Sequence, residues 1–325
     1  MKHIVIIATG GTIAGSGEFG KAAEYAAGRF SVEEILKSVP AIRSLASIQT
    51  IQLCNVDSNE MNQQRWIKLR DQIHEVAKDP QTDGIVVTHG TDTLEETAFF
   101  LNLTLHTDIP IVLTGSMRPA TSASADGPMN LYQAVALAAS DQAKGAGVLA
   151  VFSDTIYSGR DIRKTNSYKT DAFEIDHFGS LGYMRDDQVY FLNRSKRAHT
   201  LTSPFSDLKI EHFPKVNIAY WHCDGDEETL RALCQNAKGL VIAGSGSGNY
   251  SKVWQKTIHE LAKDHLIVRA SRVPKGIVFD SAFFDPDHDT ISAFTFPAHK
   301  ARILLMLAMM KTGDKEKIQN WFETL

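Results

Sequence analysis

Short unbroken runs of β-branched and apolar residues recur through the first 150 residues of this 325-residue chain, each followed by a polar or glycine-rich turn. Ile4 to Ala8 leads into Thr9-Gly10-Gly11-Thr12, and Ile48 to Cys54 into Asn55-Val56-Asp57-Ser58-Asn59. Gly84 to Val87 leads into Thr88-His89-Gly90-Thr91-Asp92, and Pro110 to Leu113 into Thr114-Gly115-Ser116. Amphipathic helical patterns separate the runs. A strand that is apolar on both sides must be covered on both, and strands joined through helices pair in parallel. The pattern therefore predicts an α/β fold built on a large, open, mostly parallel sheet flanked by helices.

Helix starts are marked by capping spacing at Ser31 with Glu34 and at Asp92 with Glu95, where the carboxylates also favour the positive helix end. A helix over about 61–78 has an apolar stripe of Trp66, Leu69, Ile73, Val76 and Ala77. After about Asp186 the texture changes: residues 193–214 are polar, hold two prolines and lack a helical period, which suits a surface connection. Strand and helix alternation resumes at Val216. The expected organisation is an N-terminal α/β domain over 1–190, a linker over 191–213 and a smaller C-terminal α/β domain over 214–325.

Lys and Arg total 34 against 38 Asp and Glu, a formal charge of −4, so no concentrated basic surface for nucleic acid is expected. The longest apolar run, Ile303 to Met310, is far shorter than the roughly 20 residues that span a bilayer, which excludes a membrane partner at this level. The apolar stretch after Lys2 is too short for a secretory leader, whose apolar part runs about 7–15 residues. Cys54, Cys223 and Cys234 are odd in number and widely spaced, so no disulfide framework is implied. These features favour the cytoplasm, with the periplasm as the alternative if an export leader is missing from the chain.

In an open parallel sheet, ligands gather outside the carboxyl ends of the strands. Four consecutive strand ends here carry hydroxyls and carboxylates: Thr9 and Thr12, Asp57 and Ser58, Thr91 and Asp92, Thr114 and Ser116. Such residues are also good turn and cap formers, but four loops converging on one rim favour a site. Gly10-Gly11-Thr12-Ile13-Ala14-Gly15 lacks both nucleotide-loop spacings, and Gly244-Ser245-Gly246-Ser247-Gly248 is G-x-G-x-G only. The twelve histidines include no H-E-x-x-H, no cysteine pair has ligand spacing, and no G-x-S-x-G occurs. Neither a cofactor nor a metal is expected.

Ala8-Thr9-Gly10-Gly11-Thr12-Ile13-Ala14-Gly15 and Thr88-His89-Gly90-Thr91-Asp92-Thr93-Leu94-Glu95-Glu96-Thr97-Ala98 together resemble the two signatures of the bacterial-type L-asparaginases. Val56-Asp57-Ser58, Thr114-Gly115-Ser116-Met117-Arg118-Pro119, Asp126-Gly127-Pro128-Met129-Asn130-Leu131, Lys164-Thr165-Asn166 and Ser271-Arg272-Val273-Pro274 follow in the family's order. The Met-Arg-Pro and Lys-Thr-Asn forms are similar to the type II branch.

The resemblance implies a cofactor-free amidohydrolase that converts L-asparagine to L-aspartate and ammonia, with weaker glutaminase activity. It also implies a homotetramer, a dimer of dimers, whose sites lie between the N-terminal domain of one subunit and the C-terminal domain of its neighbour. By resemblance Thr12 matches the nucleophile and Tyr25 the tyrosine of a mobile lid, which fits the Gly- and Ala-rich stretch 16–30. Ser58 matches the residue holding the substrate α-carboxylate. Thr91, Asp92 and Lys164 match the second catalytic group, and Asn249 a residue supplied by the partner. Asn59, Ser116 and Met117 join the substrate-binding set, and backbone N–H groups around Gly11 and Gly90 are candidate oxyanion donors.

These residue types suit the chemistry. An amide is a poor electrophile, and a covalent intermediate divides its hydrolysis into acylation and deacylation. A threonine hydroxyl needs a base, and a lysine serves as one only where its surroundings lower its pKa. An adjacent Asp92 works against that, so Asp92 is assigned chiefly to the substrate ammonium. Read alone, Lys164 would be part of an ordinary solvated run with Arg160, Asp161 and Arg163.

Two positions depart from the family pattern. Asn59 stands where Gln or Glu is usual, one methylene shorter, which favours a water-mediated grip on the α-amino group. Phe283 aligns with the acid that the partner subunit normally presents to the substrate ammonium, leaving cation–π contact or a nearby Asp280, Asp285 or Asp287 in its place. Two other functions fit the same resemblance: an ammonia-supplying subunit of a tRNA-dependent amidotransferase, and a catalytically weakened amino-acid-binding member.

Overall fold

The computed structural model describes residues 1–175 and 177–325, which form two compact units, Met1–Leu208 and Lys209–Leu325. In unit 1 the elements run β1 (His3–Gly10), β2 (Ser16–Gly17), β3 (Tyr25–Ala26), α1 (Val32–Lys37), α2 (Ile42–Leu45), β4 (Ser47–Val56) and α3 (Gln63–Ala77). They continue β5 (Gly84–Thr88), α4 (Leu94–Thr104), β6 (Ile111–Thr114), α5 (Gly127–Ala138), β7 (Val148–Phe152), β8 (Thr155–Ser158), β9 (Ile162–Lys164), β10 (Phe173–Ile175), β11 (Gly182–Arg185) and β12 (Gln188–Phe191). An eight-stranded sheet has the order β12-β11-β8-β7-β6-β5-β1-β4. The strands from β4 to β7 in that order are parallel, and β8, β11 and β12 add an antiparallel edge.

The apolar runs explain why the middle of this sheet is continuous. Ile4, Ile6, Val86, Val112 and Leu149 pack with Leu131, Ala134 and Val135 of α5 in one core cluster. The intervening Val5, Ile7, Ile85, Val87, Ile111 and Leu113 are buried as well, so both faces are covered. α4 is buried around almost its whole circumference, which is why its sequence shows little amphipathic contrast. By contrast β4, at the sheet edge, alternates half-buried and exposed residues.

Strand order is what creates a crevice. From β1 the chain crosses to β4 on one side, then returns past β1 to β5 on the other side. The carboxyl ends of β1 and β5 are therefore neighbours that lead off in opposite directions, the arrangement in which open α/β sheets bind ligands. Register carries this through to the loops, with Ala8 opposite Thr88 and Thr88 opposite Thr114.

Local signals are realised with one exception. Ser31 and Glu34 form a reciprocal capping box on α1, and α3 is capped by the Asn62 side chain accepting from the Arg65 N–H. Asp92 does not cap α4: the N-cap is Thr93, and no side chain caps it. The Asp92 carboxylate is turned to Lys164 instead.

Unit 2 consists of β13 (Val216–Tyr220), α6 (Glu227–Cys234), β14 (Gly239–Gly244), α7 (Lys252–Leu261), β15 (Leu266–Ser271), β16 (Ile291–Ser292), α8 (Ala298–Met309) and α9 (Lys315–Thr324). β13 to β16 form a parallel sheet in chain order. Leu230, Trp254 and Ile258 pack over Leu240, Ile242 and Ile267 in its core.

Much of the polar stretch after β12 is anchored. The Ser203 hydroxyl donates to the Leu103 carbonyl, the buried Arg70 donates to the carbonyls of Thr104 and Leu208, and Phe205 is fully buried. Replacing Phe205 with Ala should lower the stability of unit 1 by about 3–5 kcal/mol in urea unfolding. Unchanged stability would show that residues 200–208 behave as a free connection.

Candidate active site

Four loops at the β1–β5 crevice and one short strand carry the candidate side chains. The first loop leaves β1 at Gly10 and Gly11 and turns into one 3-10 turn, Thr12–Ala14, with Thr12 buried. Gly11 has φ +83°, and a Cβ there would stand 2.4 Å from the N and Cα of Gly90. A Cβ on Gly90 would in turn lie 2.9 Å from Ser58 Oγ. The loops after β1 and β5 are thus in contact backbone to backbone, an approach that only glycine permits, and the Ser58 side chain from the loop after β4 packs against Gly90.

Thr12 Oγ1 lies 2.8 Å from the hydroxyl of Tyr25. Tyr25 sits on a two-stranded hairpin in which Ser16 pairs with Ala26 and Gly17 with Tyr25. The hairpin is tied down by the Gly17 N–H on Thr121 Oγ1 and the Gly20 N–H on the Thr121 carbonyl. The stretch expected as a lid is in this way laid over the nucleophile candidate.

A second group forms at the end of β5. Lys164 Nζ donates to Thr91 Oγ1 at 2.8 Å and to Asp92 Oδ1 at 2.5 Å. Asp92 Oδ2 accepts from Asn59 Nδ2 at 3.3 Å, and the same amide nitrogen donates to Asp57 Oδ1 at 2.8 Å. Asn59 therefore steadies the Asp92 carboxylate from the side. Thr91 and Ser58 are buried while the Asp92 side chain is 52% exposed, so one edge of the carboxylate is open to a ligand.

Lys164 does not belong to a solvated charge run. Its side chain is 13% exposed, and the neighbouring Arg160 and Asp161 form a buried ion pair. Lys164 ends β9, which pairs with β10, and its backbone N–H reaches Glu95 Oε1 at 3.4 Å. Glu95 reads in sequence as a first-turn helix residue, and its contact with β9 has no local signature.

At the end of β6, Ser116 and Met117 are buried, but their polar groups serve the loop. Ser116 Oγ donates to the Arg118 carbonyl, and the Met117 N–H donates to Asp126 Oδ2. In unit 2, Asn249 follows β14 and closes a tight bridge with Ser245. Phe283 is 86% exposed and stacks edge-on against Phe284.

The three neighbouring acids have partners. Asp285 is buried and accepts from Asp289, Thr290 N and Thr290 Oγ1, a loop-building role that removes it from the surface. Asp280 lies 3.5 Å from His288 and Asp287 3.7 Å from His259. His259, Asp287 and Asp289 are the grouping of metal-ligand type among the described residues, and its His259 Nδ1 already bonds Asp289 at 2.9 Å. All three cysteines are free.

The residue that sequence reasoning passed over is His89. Its ring is fully buried behind Gly90, and that burial holds its pKa down at about 4 even though the hydrogen bond to Gly90 opposes the shift. The motif around it names it, but nothing in the local pattern says that its ring faces inward.

Two family models match the chain: "Asparaginase, N-terminal" over residues 3–197 and "Glutaminase/Asparaginase C-terminal domain" over residues 215–322. The chain is 40% identical over 326 residues to a probable periplasmic L-asparaginase of Haemophilus influenzae, covering 99% of this chain and 93% of that protein. It is 40% identical over 328 residues to a glutaminase-asparaginase of Acinetobacter glutaminasificans, covering 99% of each. The crystal structure of a probable cytoplasmic L-asparaginase from Campylobacter jejuni superposes with a TM-score of 0.96 at 44% identity, covering 100% of both chains.

The buried neutral ring has a consequence for acid stability. With a folded pKa of about 4 against 6.5 unfolded, His89 binds a proton more readily in the unfolded chain between those values. Stability should therefore fall as the pH drops from 6.5 to 4, by on the order of 3 kcal/mol from this group. Urea unfolding at pH 7 and 4.5 checks the direction, and the slope should flatten in His89→Gln.

Proposed function

The chain belongs to the family of the asparaginases and glutaminase-asparaginases, and on that premise we infer that it hydrolyses the side-chain amide of L-asparagine to L-aspartate and ammonia, with a weaker reaction on L-glutamine. The observation that carries this reading is the pairing of two buried threonine hydroxyls on touching loops, Thr12 with Tyr25 and Thr91 with Lys164. The names of the relatives, asparaginase and glutaminase-asparaginase, favour hydrolysis over ammonia supply to a partner enzyme.

Thr12 Oγ1 attacks the amide carbon, the C–N bond breaks, and the hydroxyl proton leaves with the departing ammonia. Tyr25 is within hydrogen-bond reach of Thr12 Oγ1 and so can pass that proton. Backbone N–H groups near Gly11 and Gly90 receive the charge developing on the carbonyl oxygen, each worth about 3 kcal/mol when well aimed. Water then cleaves the ester, releasing aspartate and the free threonine. In this second step Thr91, oriented by Lys164, directs the attacking water. The exposed edge of Asp92 receives the substrate ammonium, and Ser58 the α-carboxylate. Ser116 and Met117 shape the pocket wall through the loop they stabilise. No cofactor enters this chemistry.

The active form in this reading is a homotetramer in which unit 2 of a neighbour, through Asn249 and the Phe283 loop, completes each site. Three unpaired cysteines suit a reducing compartment, which supports a cytoplasmic enzyme.

Thr12→Ala should abolish ammonia release from asparagine while leaving the melting temperature close to that of the parent, and Thr91→Val should lower kcat by about a hundredfold or more. Retained turnover in Thr12→Ala would place the nucleophile elsewhere. A mixing experiment tests the shared site: co-refolded Thr12→Ala and Asn249→Ala subunits should recover turnover that neither has alone. Absence of recovery in a mixed tetramer would show that each chain builds its own site.

A further inference from the structure

Behind the Gly90–Thr91 peptide runs a chain of three buried side chains from different elements. Trp66 Nε1 of α3 is 2.9 Å from Thr97 Oγ1 of α4, Thr97 Oγ1 is 2.9 Å from His89 Nε2, and His89 Nδ1 is 2.7 Å from the Gly90 carbonyl oxygen. All three are buried: Trp66 at 5% exposure, Thr97 and His89 at 0%.

The two ends of this chain determine every proton in it. An indole N–H only donates and a carbonyl oxygen only accepts. Trp66 must therefore donate to Thr97, which leaves the threonine hydroxyl proton for His89 Nε2. The imidazole then carries its own proton on Nδ1 and donates it to Gly90. A ring kept neutral by burial permits this arrangement and no other.

The carbonyl held in this way belongs to the peptide whose other end is the Thr91 N–H. Among the described residues no peptide is cis, so that N–H points away from the Gly90 carbonyl, and hence away from the buried imidazole. Among the described residues it has no hydrogen-bond partner. Gly90 Cα, where that peptide begins, lies against Gly11, and Gly90 also faces the Ser58 side chain, so a rotation of the peptide is felt at the nucleophile loop and the α-carboxylate site.

We propose that Trp66, Thr97 and His89 are positioning residues whose hydrogen-bond relay locks the Gly90–Thr91 peptide, aiming the Thr91 N–H at the carbonyl oxygen of the reacting amide. The proposal rests on the hydrolase reading given above. The relay works on the transition state more than on ground-state binding, because the charge it helps to meet develops only during reaction.

Two measurements test it, the first without reference to activity. In uniformly labelled wild-type protein at neutral pH, the ¹⁵N signals of the ring, identified by their loss in His89→Gln, should report the Nδ1–H tautomer. An Nε2–H tautomer overturns the proposal. In the second, Thr97→Val, which removes both roles of the hydroxyl at nearly constant volume, should lower kcat for asparagine about tenfold or more with KM within about threefold. Thr97→Ser, which keeps the hydroxyl, should stay within about threefold of wild type in both parameters. A Thr97→Val enzyme with kcat within about threefold of wild type overturns the relay as a catalytic support. If Thr97→Val does not fold, Trp66→Phe replaces it, with an expected loss in kcat of about threefold or more and overturn at no loss. Wild-type protein inactive on both amides would refute the hydrolase reading, and the tautomer alone would then decide the relay.

Discussion

The approach of Gly11 to Gly90 is the contact on which the rest of the site depends. It occurs where β1 and β5 lie side by side and their following loops part, and it brings two main chains closer than any Cβ would allow. Ser58 closes the third side against Gly90. Three loops from strands that are distant in sequence are thereby held as one wall. A displacement of one of them is transmitted to the others because only glycine main chain and the short Ser58 side chain lie between them.

Around this wall the polar groups sort into two sets. The outer set is charged and partly open: Lys164, Asp92, Asn59 and Asp57 form a connected line that leaves one carboxylate edge toward solvent. The inner set is neutral and closed: Trp66, Thr97 and His89 satisfy one another behind the wall. Burial decides the difference. A charge in the inner position would lack water and a counter-ion, and burial there keeps the imidazole neutral. The net charge of −4 bears on neither set.

Much of the architecture was legible because it rests on short-range pattern. Continuous apolar runs marked the central strands, Ser31 and Glu34 marked a helix start, and the glycine-threonine turns marked the loops. Where legibility failed, a side chain had a distant partner. Asp92 has the spacing of a helix cap, yet a lysine 72 positions away takes its carboxylate. Glu95 has the look of a first-turn acid, yet it reaches the backbone of that same lysine. Arg160 to Lys164 looks like a solvated run because charge patterning cannot register that the strand lies against α4. The polar stretch after β12 concealed Phe205, Ile210 and Phe213, whose burial depends on what they meet in the fold.

By itself the sequence determined that alternating strands and helices would form, which positions would be apolar, and which loops would carry threonines, glycines and an Asp at strand ends. Those outcomes follow from periodicity and backbone preference, which act over a few residues. Tertiary structure alone decided that β1 sits between β4 and β5, that Lys164 meets Thr91, and that the His89 ring points inward to a threonine and a tryptophan. The physical reason is that strand order and side-chain partnership are set by long-range packing, where each group must find its hydrogen bonds inside a close-packed interior.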